Sequence, residues 1–177
     1  MDRRTFLAAG ATALGSALAG CASGTERGYD VGMVSNGFLV DTDDGVPADA
    51  PEWVPRSAPT LQVQAGETVI WENTGSRIHT VTAATRAHAR AKVMMGSAED
   101  VEDVRAMRLP EDARFFASGG FDGEIAAVES FLEDLSGGGA IPPGEHYAHT
   151  FHAPGWYHYY CIPHEPAGMI GNVHVVE

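Results

Sequence analysis

The run Tyr160-Cys161-Ile162-Pro163-His164-Glu165-Pro166-Ala167-Gly168-Met169 places a thiol, an imidazole and a thioether within nine consecutive residues. Thiolate and thioether sulfur suit Cu(I), whereas imidazole suits both Cu(I) and Cu(II). A trigonal site of two histidines and one cysteine, with a weak axial methionine, is the arrangement of blue-copper electron-transfer centres. The run therefore predicts three ligands of one copper ion, Cys161, His164 and Met169, and requires a second histidine from elsewhere in the chain.

His79 is the candidate for that second histidine. It lies in Val69-Ile70-Trp71-Glu72-Asn73-Thr74-Gly75-Ser76-Arg77-Ile78-His79-Thr80-Val81, where a predicted strand runs into a glycine-containing turn and the histidine begins the next strand. Together with Gly66-Glu67-Thr68-Val69 and the closing segment 155–176, these residues resemble plastocyanin-type cupredoxins, and among them the halocyanins of halophilic archaea. The resemblance covers roughly residues 29–177, with insertions.

The resemblance implies an all-β protein, a cupredoxin Greek-key β-sandwich, that carries single electrons and is not an enzyme. It implies one copper ion that cycles between Cu(I) and Cu(II), held by His79, Cys161, His164 and Met169. It also implies that redox partners dock near His164, where the family has small apolar residues. The family usually has Asn directly after its first histidine ligand; Thr80 stands there in this chain and offers a backbone N–H instead.

The first residues predict export and a lipid anchor. Arg3-Arg4-Thr5-Phe6-Leu7 followed by an apolar stretch is typical of a twin-arginine signal, and Leu18-Ala19-Gly20-Cys21 resembles a lipobox. We therefore expect residues 1–20 to be a signal, and residues 21–28 to be a tether lipidated at Cys21. The expected location is the extracytoplasmic face of the cell membrane; an uncleaved N-terminal anchor is the alternative. Lipidation of Cys21 would leave Cys161 with no disulfide partner.

The charge pattern limits the possible partners. The formal net charge is −13, and Lys92 is the sole lysine. Excess acid with scarce lysine is typical of a haloarchaeal surface, and the absence of a basic patch argues against nucleic-acid binding. The expected partners are membrane-associated respiratory redox proteins, and the expected state is a monomer.

The pattern along residues 29–177 predicts short strands interrupted by two insertions. Alternating and β-branched runs with turn signals between them favour a β-sandwich. Residues 41–59 read as a surface loop. Residues 86–139 read as helices and loops, with Ile125, Val128, Leu132 and Leu135 spaced like the apolar face of a helix.

Other readings of the residues are weaker. A copper enzyme needs further copper sites, normally built from His-x-His pairs, and the chain contains none. A cysteine hydrolase would leave Met169 and His79 unexplained, whereas a copper storage or delivery protein is an open alternative. His88 is expected to be solvated, and His158 and His174 to lie on the surface. Tyr160 is a candidate for a second electron port or, more simply, a packing residue.

Overall fold

Two four-stranded sheets pack as a β-sandwich in this computed structural model, which describes residues 27–177 except 136 and 138. The predicted signal and lipidated Cys21 lie outside the described residues. The sheets have the strand orders β2-β1-β4-β6 and β3-β8-β7-β5. The strands are β1 Val31–Val34, β2 Gly37–Val40, β3 Thr60–Gln64, β4 Thr68–Asn73, β5 Thr82–Ala83, β6 His146–Thr150, β7 Gly155–Tyr160 and β8 Ile170–Val176. The predicted β-sandwich is confirmed.

The space between the sheets is filled by aromatic and branched side chains. In β4, Val69, Trp71 and Asn73 point inward, as the period of two in a strand requires. Trp71 is fully buried and contacts four other rings, those of Phe116, Tyr147, Phe151 and Tyr159. β1 pairs in parallel with β4, and β3 with β8, while the remaining pairs are antiparallel. This core fixes the end of β7, from which the cysteine projects.

The predicted helical insertion is present between β5 and β6. It contains α1 His88–Met94, a 3₁₀ turn Val101–Asp103 and α2 Glu124–Glu133. The predicted apolar face is correct at Val128, which is buried, and at Ile125, which packs against the same cluster, but wrong at Leu132 and Leu135, which are exposed. Ala127 and Phe131, one helical turn apart, complete the buried face with Val128. Residues 41–59 contain neither helix nor strand.

The strand predicted to begin at His79 begins later, at Thr82, and has two residues. Only Thr82–Ala83 pair with β7, and His79 instead makes an isolated bridge with Ile141. The insertion supplies the missing partner, because Ala83 N donates to the carbonyl of Phe116 and Ser118 N donates to that of Val81. This part of the chain is therefore held by the insertion as well as by the sheet.

The insertion covers the outer face of β7. Tyr157 and Tyr159 face the sandwich core, whereas Tyr160 packs with the buried residues of α1 and α2. His158 is 2% exposed and His88 is 2% exposed, so the prediction that these histidines are solvated is wrong. Tyr160 is fully buried as well, which makes it a packing residue rather than a port to solvent.

Burial of His158 makes stability depend on pH. Burial lowers its pKa from 6.5 to about 4, and its Nδ1 contacts Asn172 Oδ1 at 2.9 Å. Between pH 6.5 and 4 the unfolded chain binds a proton at this residue that the folded protein does not bind, so stability falls as the pH falls. At about 1.4 kcal/mol per pKa unit, we expect the copper-free protein to lose about 3 kcal/mol of unfolding free energy through this group by pH 4.

Urea unfolding of the copper-free protein at several pH values between 7 and 4.5 measures this dependence. His158→Gln retains an N–H donor for Asn172 and removes the titrating ring, so its stability should vary less with pH. An equal pH dependence in the variant and the unchanged protein would contradict the assignment to His158.

Gly171 on β8 is opposite Tyr159 on β7. A Cβ built on Gly171 would lie 2.3 Å from Cζ of the Tyr159 ring, far inside van der Waals contact. Gly171→Ala is expected to lower the unfolding free energy by about 1–3 kcal/mol, because the ring is fully buried and has no room to move. Gly37→Ala is the matched control, since the nearest atom to its Cβ would be 3.9 Å away. Equal denaturation midpoints for the two variants would contradict this packing.

The described residues include no helix long and apolar enough to cross a bilayer.

Candidate metal centre

One thiol and two imidazoles come together at one end of the sandwich. The ligand atoms of His79, Cys161 and His164 all lie within 4.8 Å of one another. Cys161 Sγ is 3.7 Å from His79 Nδ1 and 3.3 Å from His164 Nδ1. Metal bonds of about 2.0 Å to nitrogen and about 2.3 Å to sulfur hold such atoms between about 3 and 4 Å apart. Both sulfur–nitrogen distances fall in this range, so the thiol and the two imidazoles suit one shared metal ion.

Cys161 is positioned by the end of β7 and by the tight loop that follows. The loop is a 3₁₀ turn, Ile162–Ala167, closed by Gly168 in the left-handed conformation at φ 86°. The backbone amides of His164 and Glu165 both donate to the carbonyl of Cys161. These bonds turn the chain directly after the cysteine, so that the imidazole of His164 comes back over the sulfur.

Met169 is joined to the same loop by its backbone. Its carbonyl accepts from Cys161 N at 3.1 Å, and its own N–H donates to the carbonyl of His164 at 3.1 Å. The side chain is fully buried in the sandwich core together with Cys161. The structure thus brings all four predicted ligand residues to one end of the molecule.

Hydrogen bonds from the Asn73 side chain fix the turn that carries His79. The Asn73 Nδ2 group donates to the carbonyls of Arg77 and Ile141, at 2.6 and 2.8 Å, and its Oδ1 accepts from Gly75 N. His79 and Ile141 in turn exchange two backbone hydrogen bonds. The side chain of Asn73 therefore closes the turn that carries His79.

Thr80 connects the two segments that supply the ligands. Its backbone N–H lies 3.4 Å from Cys161 Sγ, as a donor to the sulfur. Its hydroxyl oxygen accepts from Ile162 N at 2.8 Å. The threonine therefore supplies a side-chain hydrogen bond between the loops at the position where the resembling family usually has asparagine.

Burial controls the protonation of the copper-free site. Burial raises the pKa of the Cys161 thiol to about 11, partly offset by the Thr80 N–H. Burial also lowers the pKa of His79 to about 4, and the positive charge that His164 carries when protonated, with that of Arg77, acts in the same direction. Burial lowers the pKa of His164 as well, and the Arg77 charge acts the same way. Both histidines are therefore neutral at pH 7 and have lone pairs for a metal. Binding as a thiolate requires the metal to displace the proton of Cys161.

Only one of the four residues reaches the surface. His79, Cys161 and Met169 are fully buried, whereas His164 is partly exposed. Exposed Pro166, Ala167 and Gly168 follow it in the loop. The imidazole of His164 is thus the route from the buried sulfur to solvent.

The family of the chain follows from a match over most of its length. The sequence profile of the copper-binding proteins of the plastocyanin/azurin family matches residues 56–176. The chain belongs to this family. Its members are copper proteins that carry electrons and are not enzymes, so the expected copper cofactor, the expected cupredoxin fold and the expected absence of enzymatic activity are confirmed.

Two plastocyanins are similar to the chain in sequence. The chain is 28% identical to the chloroplastic plastocyanin of Chlamydomonas reinhardtii over 126 residues, which cover 65% of this chain and 87% of that protein. It is 28% identical to the chloroplastic plastocyanin of Pisum sativum over 143 residues, which cover 81% of this chain and 62% of that protein. Among solved structures, reduced auracyanin from Roseiflexus castenholzii covers 83% of this chain and 94% of its own, at 16% identity and a TM-score of 0.41.

Proposed function

We propose that the protein is a single-electron carrier with a type 1 copper centre whose ligands are His79, Cys161, His164 and Met169. The observation that carries the proposal is the convergence of a buried thiol and two neutral imidazoles, with Sγ to Nδ1 distances of 3.3 and 3.7 Å. A bound copper ion supplies a one-electron couple at this point. Sulfur favours Cu(I) and imidazole serves both states, so the donor set suits an ion that changes oxidation state.

Hydrogen bonds within the chain hold the ligand residues in place while the oxidation state of the copper changes. Cys161 and His164 are fixed by the hydrogen bonds of the loop. The turn that carries His79 is fixed by the hydrogen bonds from the Asn73 side chain. The Thr80 N–H donates to the sulfur and tunes its electron density. A dry, fixed set of ligands moves little when an electron arrives or leaves, which favours rapid transfer.

A copper storage or delivery protein is less well supported. Delivery requires the ligands of a recipient to replace those of the donor one after another, so at least one sulfur ligand should be accessible. Cys161 and Met169 are both fully buried, and only an imidazole reaches solvent. Burial of both sulfur side chains therefore favours a site that keeps its metal.

The partner and the location form a further part of the proposal. We propose that membrane-associated respiratory redox proteins dock at His164, where the exposed backbone and side chains of Pro166, Ala167 and Gly168 leave room for close approach. The lipobox at Cys21 and the twin-arginine signal support a lipid anchor outside the cytoplasm. The acidic composition and single lysine support a halocyanin-like protein. Release of a Cys21→Ala variant from the membrane fraction would support the anchor, and its full retention there would contradict it.

An optical titration tests the copper centre. Cu(II) is added to the purified protein in high salt, and the visible spectrum is recorded before and after ascorbate. We expect an intense blue band at one copper per chain that bleaches on reduction and returns on oxidation. A colourless or weakly coloured complex would overturn the electron-carrier proposal.

A further inference from the structure

We propose that the insertion clamps the copper-ligand loop through Lys92 and Glu165, which act as positioning residues for His164. Lys92 lies on α1 of the insertion, and Glu165 directly follows His164 in the loop. Their side chains meet at 2.5 Å between Nζ and Oε1. The inference rests on the proposed function for its meaning, but the contact is made by the chain's own side chains and can be tested without copper.

The burial of this ion pair is unusual for a surface loop. The Glu165 side chain is 5% exposed and that of Lys92 is 24% exposed. Removal of two charges from water costs several kcal/mol per ion, and a well-packed apolar pair of similar size is often as stable or more stable. An ion pair at such a position gains little stability, but its direction and short contact distance fix where the glutamate lies.

Lys92, which forms this contact with Glu165, is the sole lysine of the chain. Arg27 pairs with Asp41 at the surface, and Glu124 contacts the imidazole of buried His88. The sequence is strongly acidic, so most carboxylates have no basic partner available. Lys92 nevertheless pairs with the one carboxylate that directly follows a proposed copper ligand.

Apolar packing joins the insertion to the same loop. Ile162, which lies between Cys161 and His164, is buried in a cluster with Ala91 of α1 and Ala127 and Val128 of α2. Packing of this kind is not directional, whereas the ion pair fixes the position of one carboxylate. Ile162 and Glu165 thus secure the loop on both sides of His164, and both contacts are made by the insertion.

Hydrogen exchange of the copper-free protein measures the clamp directly. The amides of His164, Glu165, Gly168 and Met169 are hydrogen-bonded inside the loop. In Lys92→Met, which keeps the length of the stem but removes the charge, we expect these amides to exchange about tenfold faster, as for the loss of one charge-assisted hydrogen bond. Lys92→Arg should restore slow exchange, because it restores the charge.

Two further variants separate positioning from stability. Lys92→Met leaves Glu165 buried and unpaired, so the double variant Lys92→Met/Glu165→Gln is included to remove both charges. In the double variant we expect the amides of β3 and β8 to exchange as slowly as in the unchanged protein. The loop amides should still exchange faster than in the unchanged protein. Arg90→Met on the same helix is the matched control, because Arg90 is exposed and its loss changes the net charge equally.

Copper titration of the same proteins links the clamp to the site. Loss of a group that orients a ligand typically lowers metal affinity about 10- to 100-fold, and we expect this loss, with a shifted blue band, in the double variant. Loop exchange and copper affinity within twofold of the unchanged protein, both in Lys92→Met and in Lys92→Met/Glu165→Gln, would overturn the clamp. An unchanged protein without a blue band, but with fast loop exchange in Lys92→Met, would overturn the proposed function and support the clamp.

Discussion

Cys161→Ser is expected to abolish the intense blue band completely. The band of a type 1 centre comes from charge transfer between the cysteine sulfur and Cu(II), and a serine oxygen offers no comparable soft donor. The geometry leaves no substitute, because Cys161 is the only cysteine among the described residues. The measurement is the visible spectrum after addition of Cu(II), together with the copper content after dialysis.

Cys21→Ser is the matched control for this substitution. The chain has two cysteines, and Cys21 lies outside the described residues, in the predicted tether. The control should retain the full band at one copper per chain. Retention of an intense blue band in Cys161→Ser would mean that the sulfur ligand has been misassigned.

Glu124→Ala is expected to lower the unfolding free energy by about 3–5 kcal/mol, the usual cost of removing one partner from a buried charged network. The Glu124 carboxylate is fully buried. Its Oε1 lies 2.8 Å from His88 Nδ1 and accepts from the Tyr160 hydroxyl at 2.9 Å. Its Oε2 accepts from the backbone N–H and the hydroxyl of Thr85. Alanine removes this partner from buried His88 and Tyr160 and from half-buried Thr85.

Glu129→Ala provides the comparison on the same helix. Glu129 is exposed, so its replacement should change stability by no more than about 0.5 kcal/mol. Urea denaturation of the copper-free proteins at pH 7 measures both variants. A difference below about 1 kcal/mol between them would show that the Glu124 network is not a major source of stability.

The copper site was the most predictable part of this protein. Its residues carry unusual chemistry at short spacing, so Cys161, His164 and Met169 were visible as a group in the sequence. His79 followed from its place after a strand and turn. The structure brings all four to one end of the sandwich, while their assignment as ligands remains a prediction.

The surroundings of the site were less predictable because they depend on residues far apart in the chain. Alternation along β7 places Tyr159 and Tyr160 on opposite faces of the strand, but it gives no sign that an insertion covers the outer face. His88 and His158 were expected in solvent for the same reason. Lys92 and Glu165 are 73 residues apart, and no local pattern connects them.

The burial of Tyr160 affects how fast electrons can pass from a donor to an acceptor through this protein. If electrons enter and leave through His164, the donor and the acceptor need the same small area and exclude each other. Each turnover then requires the first complex to separate before the second can form. Interfaces of redox encounters are commonly below about 1,200 Å², and selection on this carrier should favour short-lived complexes over tight ones. A partner that bound strongly would act as an inhibitor.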